Sequence, residues 1–479
     1  MPMAAMIPFI CNGKYSIVLI NLDLRMEEKM AIKISIIGAG SSVFSLSMIR
    51  ELSTTKNLRG CTVHFMDIDE ERLDASYTLC KRYAAECGLE FTLLKTTNRE
   101  ECLKGADFVI NTALHVGYDK WVEGWKIAQK HGYRYGGSLH IMHDEAFWIN
   151  HYQFKLMEDV YLDMQRICPN AWYLLVSNPV SAGVTYMKRK YPDAKLVGLC
   201  HGVNGIYHIS DVLGLKREDI QFEVSGVNHF VWLTHFTHKG EDVFPLLDKW
   251  IEEHSEEYFQ TCRTSDAVGP KAVDLYKKFG VFPIGDTGNP GGGAWGWWYH
   301  TDAEIETRWK EGPKWWFDEI YFNANEKLVN SIRAAAYDLE TPVTKVFPPE
   351  QTGEPMIAVI ESIAFDIPKM IVTNIINDGE YIKGVPKDFQ VELSTLVDGQ
   401  GIRGIKQKPL PLAVQAHMQS DRIAMINMEI AAYENRDYDA LLGLIMMDPW
   451  TQTEEQARKL IHDILNMEGM ETMKEHYHQ

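Results

Sequence analysis

From Met30 onward, short apolar runs alternate with longer stretches whose apolar positions recur every three or four residues. The first kind reads as strands and the second as helices. Residues 32–37 are rich in branched side chains and lack polar alternation, which predicts a strand buried on both faces of a parallel sheet. A glycine turn and an amphipathic helix to about Ser53 follow. Next come a strand over Thr62–Met66, a polar-faced helix from about Glu70 to Glu86, and strands at 91–96 and Phe108–Asn111. Two further strands are expected at 172–177 and 196–199. Strands separated by helices demand right-handed crossovers and a sheet covered on both sides. The expected class is α/β, with a doubly wound parallel sheet.

Beyond Asn204 the texture changes. Residues 221–226 and Phe230–His238 read as strands joined close in sequence, and helices are expected at 245–260 and 314–339. A strand at 370–376, a long helix at 412–434 and a closing helix at 454–466 complete an α+β half. The expected organisation is an extension over 1–29, a first domain over 30–203 and a second over 204–479.

In the extension, Met6-Ile7-Pro8-Phe9-Ile10 and Ile17-Val18-Leu19-Ile20 are apolar, but Lys14 interrupts them and no basic segment precedes them. A secretory signal is therefore not expected. An extra strand, or an addition upstream of Met30 as the start, is. No window approaches the roughly 20 apolar residues of a membrane span. The net charge of -18 disfavours nucleic acid and anionic membranes as partners. The eight cysteines are scattered, with no CxxC pair, which argues against a disulfide scaffold or structural zinc and fits a reducing cytoplasm.

Four segments carry candidate chemistry. In Gly38-x-Gly40-x-x-Val43, two glycines allow a tight turn and close approach to a pyrophosphate, and the helix that follows offers free N–H groups. Val43 replaces the usual third glycine. Asp67 lies 29 residues beyond Gly38 at the end of the second strand, where a carboxylate accepts from a ribose and repels a 2′-phosphate. NAD is thus favoured over NADP, with Gly38, Gly40, Ser41, Val43, Asp67 and the strand-end Asn111 as its candidate contacts. Asn178, before Pro179, ends another strand at the edge where such sheets bind ligands. Cys200-His201 reaches the same edge, and His229 lies in Gly226-Val227-Asn228-His229-Phe230. One thiolate and one imidazole can hold a divalent ion with open positions, as catalytic sites do. Last, Gly285-Asp286-Thr287-Gly288-Asn289-Pro290-Gly291-Gly292-Gly293 combines a possible base with glycines able to form an anion-binding nest, and Trp295, Trp297 and Trp298 flank it.

Taken together, Ile36-Ile37-Gly38-Ala39-Gly40-Ser41, Asp67 to Asp74, Asn178-Pro179, Cys200-His201-Gly202, Gly226-Val227-Asn228-His229, Pro283-Ile284-Gly285-Asp286-Thr287 and Asp448-Pro449-Trp450 resemble glycoside hydrolase family 4. This family is NAD-dependent, an exception among glycosidases. The resemblance implies a Rossmann-like first domain, a catalytic second domain arranged as in lactate and malate dehydrogenases, and a homodimer or homotetramer. It implies that Cys200 and His229 bind Mn²⁺ or another divalent cation. It further implies that Asn178, with Asn228, contacts the sugar, and that Asp286 takes the C2 proton after hydride removal from C3. His201 adjoins the metal ligand and is the candidate proton donor. Cys200-His201-Gly202-Val203 resembles the enzymes for unphosphorylated α-glycosides. Where the related α-glucosidases carry an Arg-Asn-Ser-Ser type segment, this chain has Gly288 to Gly293, which resembles the α-glucuronidases. An α-glucuronide is therefore the expected substrate, with an α-glucoside, α-galactoside or α-galacturonide as alternatives. A lactate/malate-type dehydrogenase would also suit the glycine turn and Asn178, but it would accumulate NADH. A non-catalytic sensor would bind NAD without hydrolysing any aryl α-glycoside.

Overall fold

The computed structural model describes residues 6–11, 14–19, 32–264, 266–289, 295–312, 325–350 and 352–477. Within the expected extension, β1 (Met6–Cys11) and β2 (Lys14–Leu19) pair as an antiparallel hairpin. All other strands belong to one mixed sheet. Its parallel half contains β3 (Lys33–Ile37), β4 (Thr62–Met66), β5 (Thr92–Thr96), β6 (Phe108–Asn111), β7 (Trp172–Leu175) and β8 (Leu196–Gly198), in the order β8-β7-β6-β3-β4-β5. The chain winds outward from β3 in one direction and from β6 in the other, so a crevice opens between their carboxyl ends. The expected doubly wound α/β sheet is the one observed.

Its strands other than the exposed edge strand β5 read as largely apolar runs because both faces are covered. Ile34, Ile36, Val63, Phe65 and Ile110 pack against Leu46, Ile49, Leu79 and Tyr83 of helices Ser42–Thr54 and Glu70–Glu86. Val109, Tyr173 and Leu175 face the other way, onto Phe154, Met157 and Val160 of helix Phe147–Ile167.

The antiparallel half contains β9 (Ile220–Val227), β10 (Phe230–His238), β11 (Glu241–Asp242), β12 (Phe282–Ile284), β13 (Lys369–Ile376), β14 (Gln390–Asp398) and β15 (Gly401–Gly404). They run β11-β10-β9-β14-β13, with β12 against β10 and β15 against β14. Asn374 of β13 pairs with Gly198 of β8 and joins the two halves. The expected long helix at 412–434 is interrupted. Leu412–Met418 and Met425–Asn435 are α-helical, but a π-helical turn over Gln419–Ala424 separates them and places the fully buried Arg422 inward. Such turns often mark functional sites. Of the helix expected at 314–339, residues 314–324 lie outside the described residues and Asn325–Tyr337 is helical. Among the described residues, no helix is long and apolar enough to cross a membrane.

Candidate functional site

The carboxyl ends of β3, β6, β7 and β8 meet on one side of the sheet. At the first of them Gly38 has a φ of +87°, and a Cβ there would lie 2.5 Å from the backbone of Ala113. Only glycine fits both conditions. At Gly40 an added Cβ would strike the Asp67 carboxylate at 2.7 Å. The Gly40 N–H donates to Asp67 Oδ2 (2.7 Å) and the Asp69 N–H to Oδ1 (3.0 Å), so the carboxylate is already fixed beside the turn. Ser41 makes no side-chain cap on the helix it opens, and no acidic residue occupies the first turn. These N–H groups are left for an anion. Val43 is half-buried among the residues under this helix. Ile68, directly after Asp67, is 87% exposed, an apolar surface that a flat ring would cover. Asn111 is fully buried, donating to Tyr173 and accepting from the Ala113 N–H, so it braces the end of β6 instead of facing the crevice.

A relay of hydrogen bonds leads from this turn to β7. Gln153 Nε2 donates to the Ala113 carbonyl (2.7 Å) and to Ser177 Oγ (3.0 Å). Next to Ser177, Asn178 donates through Nδ2 to Asp144 Oδ2 (2.7 Å). Its amide oxygen is left to accept from a ligand.

One pocket is lined by Cys200, Gly202, His229, Val231, Ile284, Gly285, Asp286, Thr287 and Glu392. Glycines bring its walls together, since Gly285, with a φ of +54°, packs so closely on Gly202 that a Cβ would lie 2.8 Å from its Cα. Asp286 follows in a single turn, Gly285–Thr287, pinned where the Val231 N–H donates to Thr287 Oγ1 (2.6 Å) and the buried Trp295 indole donates to the Thr287 carbonyl (3.1 Å). His229 sits in the two-residue turn between β9 and β10 with a φ of +59°. That left-handed conformation costs a non-glycine residue about 1–3 kcal/mol and is retained where the side chain has a task. His229 Nε2 lies 3.3 Å from Asp286 Oδ2, and Nδ1 lies 2.9 Å from Glu145 Oε1.

The electrostatics follow from burial and crowding. Burial, and then the Glu392 charge, push the Cys200 thiol up, against a hydrogen bond with His229. Burial opposes charge on His229, but Cys200, Glu145 and Asp286 outweigh it and hold the imidazole well above its ordinary value. Glu392, 2% exposed on β14, is pushed up to about 7, by burial first and by Asp286 in part, although Asn228 Nδ2 donates to its Oε2 (2.8 Å). Asn228 is thus buried and turned towards Glu392. For Asp144, burial is outweighed by His143, whose Nδ1 lies 2.5 Å away, so the carboxyl sits well below the usual range. His201 is exposed at the rim.

The structure therefore brings Cys200, His229 and Asp286 into one pocket, with Asn178 linked to it through Asp144. The nest expected at Gly291 to Gly293 lies outside the described residues. Four residues that sequence reasoning missed border the site: Asp144, Glu145, Glu392 and Arg422. The consecutive ionisable residues His143-Asp144-Glu145 were the visible signal for the first two. Arg422 Nη2 donates to the His229 carbonyl (3.2 Å).

A sulfur, an imidazole nitrogen and a carboxylate oxygen together form a donor set that a divalent transition-metal ion can accept. A cation bound there would displace the proton from the Cys200 thiol, which burial otherwise holds in place.

Comparison with known proteins identifies the family. A model described as family 4 glycosyl hydrolase matches residues 33–214, and its C-terminal domain counterpart matches 224–451. An α-galactosidase of Bacillus subtilis (strain 168) is 24% identical over 451 residues, covering 90% of this chain and 95% of the relative. An α-galacturonidase of Thermoanaerobacterium saccharolyticum is also 24% identical, covering 91% and 95%. The crystal structure of a 6-phospho-α-glucosidase from gut microorganisms, in complex with NAD and Mn²⁺, superposes with a TM-score of 0.75 at 19% identity, covering 92% of this chain and 99% of that one.

Proposed function

The chain belongs to family 4 of the glycosyl hydrolases, and on that premise we propose that it cleaves an α-glucuronide with NAD and a divalent cation, Mn²⁺ foremost. The observation that carries this reading is the convergence of Cys200, His229 and Asp286 in one pocket at the sheet's carboxyl rim. When bound, NAD supplies a hydride acceptor and the cation a Lewis acid. Gly38, Gly40 and the uncapped helix behind them receive the pyrophosphate. Asp67 takes the ribose, with Ile68 under the base. Cys200 and His229 hold the cation.

Asn178, steadied by Asp144, accepts a hydrogen bond from a sugar hydroxyl through its amide oxygen. Asp286 is 31% exposed and fixed at the pocket lip, so it can take a proton from C2 of the bound sugar. His201, at the exposed rim, delivers a proton to the departing oxygen. Trp295, buried against Phe230 and Trp232 with ring centroids 4.8 and 5.7 Å away, anchors the turn that carries Asp286 through its bond to the Thr287 carbonyl. We place the enzyme in the cytoplasm as a homodimer or homotetramer.

The glucuronide assignment rests on the Gly288 to Gly293 segment, whose departure from the α-glucosidase pattern suits a substrate with a carboxylate at C6. An α-galacturonide is the second reading, favoured by the α-galacturonidase among the relatives. The test is turnover of p-nitrophenyl α-glucuronide, α-galacturonide, α-glucoside and α-galactoside with NAD⁺, Mn²⁺ and reductant. The proposal expects the glucuronide to lead. Preference for a neutral sugar would overturn the uronide assignment, and cleavage of none would overturn the glycosidase activity itself.

A further inference from the structure

His229 has two ring nitrogens, and the structure gives them different surroundings. Nε2 faces Asp286 across the pocket that Cys200 also lines. Nδ1 points the other way, 2.9 Å from Glu145 Oε1. Glu145 is 1% exposed, and apart from this ion pair neither of its carboxylate oxygens has a hydrogen-bond partner. A buried carboxylate is costly unless paired; His143 and Arg422 lend it charge from nearby, but the group at hydrogen-bond distance is the His229 ring, and that placement needs a reason. The backbone around Glu145 is well fixed. Its carbonyl accepts from Asn150 Nδ2 (2.9 Å), and the Phe147 N–H donates to the His140 carbonyl (2.8 Å), which ties the loop to the start of helix Phe147–Ile167. On the far side, Arg422 holds the His229 carbonyl.

We propose that Glu145 is the positioning residue of the cation site, holding His229 with its proton on Nδ1 and its Nε2 lone pair aimed at a divalent ion beside Cys200. A carboxylate accepting from one nitrogen fixes both the tautomer and the orientation of the ring and makes the other nitrogen a better ligand. The same tripeptide does a second task, because Asp144 grips Asn178 while Glu145 grips His229. One loop thereby sets the distance between the ligand-bearing imidazole and the amide that meets the sugar. The inference rests on reading Cys200 and His229 as ligands. That reading has a competitor within the structure, since donor atoms of His143, Asp144, Glu145 and His229 all lie within 4.8 Å of one another and could themselves surround an ion.

The test uses the full-length protein with NAD. Mn²⁺ affinity is read from the free-ion EPR signal, and Co²⁺ loading from its thiolate charge-transfer band. Cys200→Ser should abolish that band. Glu145→Asp keeps the charge but shortens the reach, and should weaken Mn²⁺ binding by about 10- to 100-fold. Glu145→Gln keeps an acceptor at the right distance and should recover most of the loss. Nitrogen-15 NMR of the wild type loaded with diamagnetic Zn²⁺ should find His229 protonated on Nδ1 and unprotonated on Nε2. If both Glu145 variants bind Mn²⁺ within threefold of wild type while the band still depends on Cys200, the positioning role is wrong and the ligand reading survives. A band unchanged in Cys200→Ser removes the ligand reading itself.

Discussion

The Glu392 carboxyl offers the sharpest quantitative test of the pocket's electrostatics. It lies 2% exposed on β14, facing the space that Cys200, His229 and Asp286 share. Burial, reinforced by Asp286, moves it from 4.5 to about 7. Its folded pKa thus exceeds its unfolded one, and it contributes stability that is full below 4.5 and is lost as the pH rises through about 7. At about 1.36 kcal/mol per tenfold change in proton affinity, the loss is about 3 kcal/mol. Glu392→Gln has nothing to titrate and keeps an oxygen for Asn228. In protein free of metal and NAD, the stability of this variant relative to wild type should therefore climb by about 3 kcal/mol across that interval. Unfolding followed against pH measures the difference, and a carboxylic-acid band in pH-difference infrared spectra, absent from the variant, assigns it to Glu392. A stability difference that stays constant with pH would mean that Glu392 is ionised throughout and that the pocket is wetter than its packing implies.

Cys200→Ser should lose most Mn²⁺-dependent turnover while keeping NAD affinity, and undiminished turnover would contradict the ligand assignment. Asp286→Asn should lower turnover by about 10²- to 10⁴-fold, the usual worth of a positioned base. It should also stop exchange of the sugar's C2 hydrogen with solvent. Exchange at the wild-type rate would move the base elsewhere. Asp67→Ala removes charge-assisted hydrogen bonds of about 1.5–3 kcal/mol, so calorimetry should find NAD bound about 10- to 100-fold more weakly. Equal affinity would show that the carboxylate does not meet the ribose.

Much of the fold was legible because its parallel strands are apolar on both faces. Ile34, Ile36, Val63 and Phe65 can only be buried, and the glycine turn and Asp67 mark the ends of the first two strands of the sheet without a structure. The first half of helix Phe147–Ile167 was not legible, because every residue from Phe147 to Phe154 is buried and shows no period; only Met157, Val160, Tyr161 and Met164 keep a helical stripe. Strand β14 hid for the opposite reason. Gln390, Glu392 and Ser394 share one face and are polar yet buried, with Gln390 bonded to Ser181 and Asn374 and Glu392 lining the pocket. Cys200, His229 and Asp286 stood in recognisable segments, whereas Glu145 and Arg422 act through His229 from segments distant in sequence. The π-turn that turns Arg422 inward left no trace in the heptad-like pattern of 412–434.

A cation held by sulfur and imidazole should sit beside the dinucleotide at the sheet's carboxyl rim. Anomalous diffraction at the manganese edge, from crystals grown with NAD⁺ and Mn²⁺, addresses it directly. One strong peak is expected within bonding distance of Cys200 Sγ and His229 Nε2, with the nicotinamide opening onto the same pocket. A peak among His143, Asp144 and Glu145 with Cys200 unbound, or a nicotinamide remote from the metal, would contradict it.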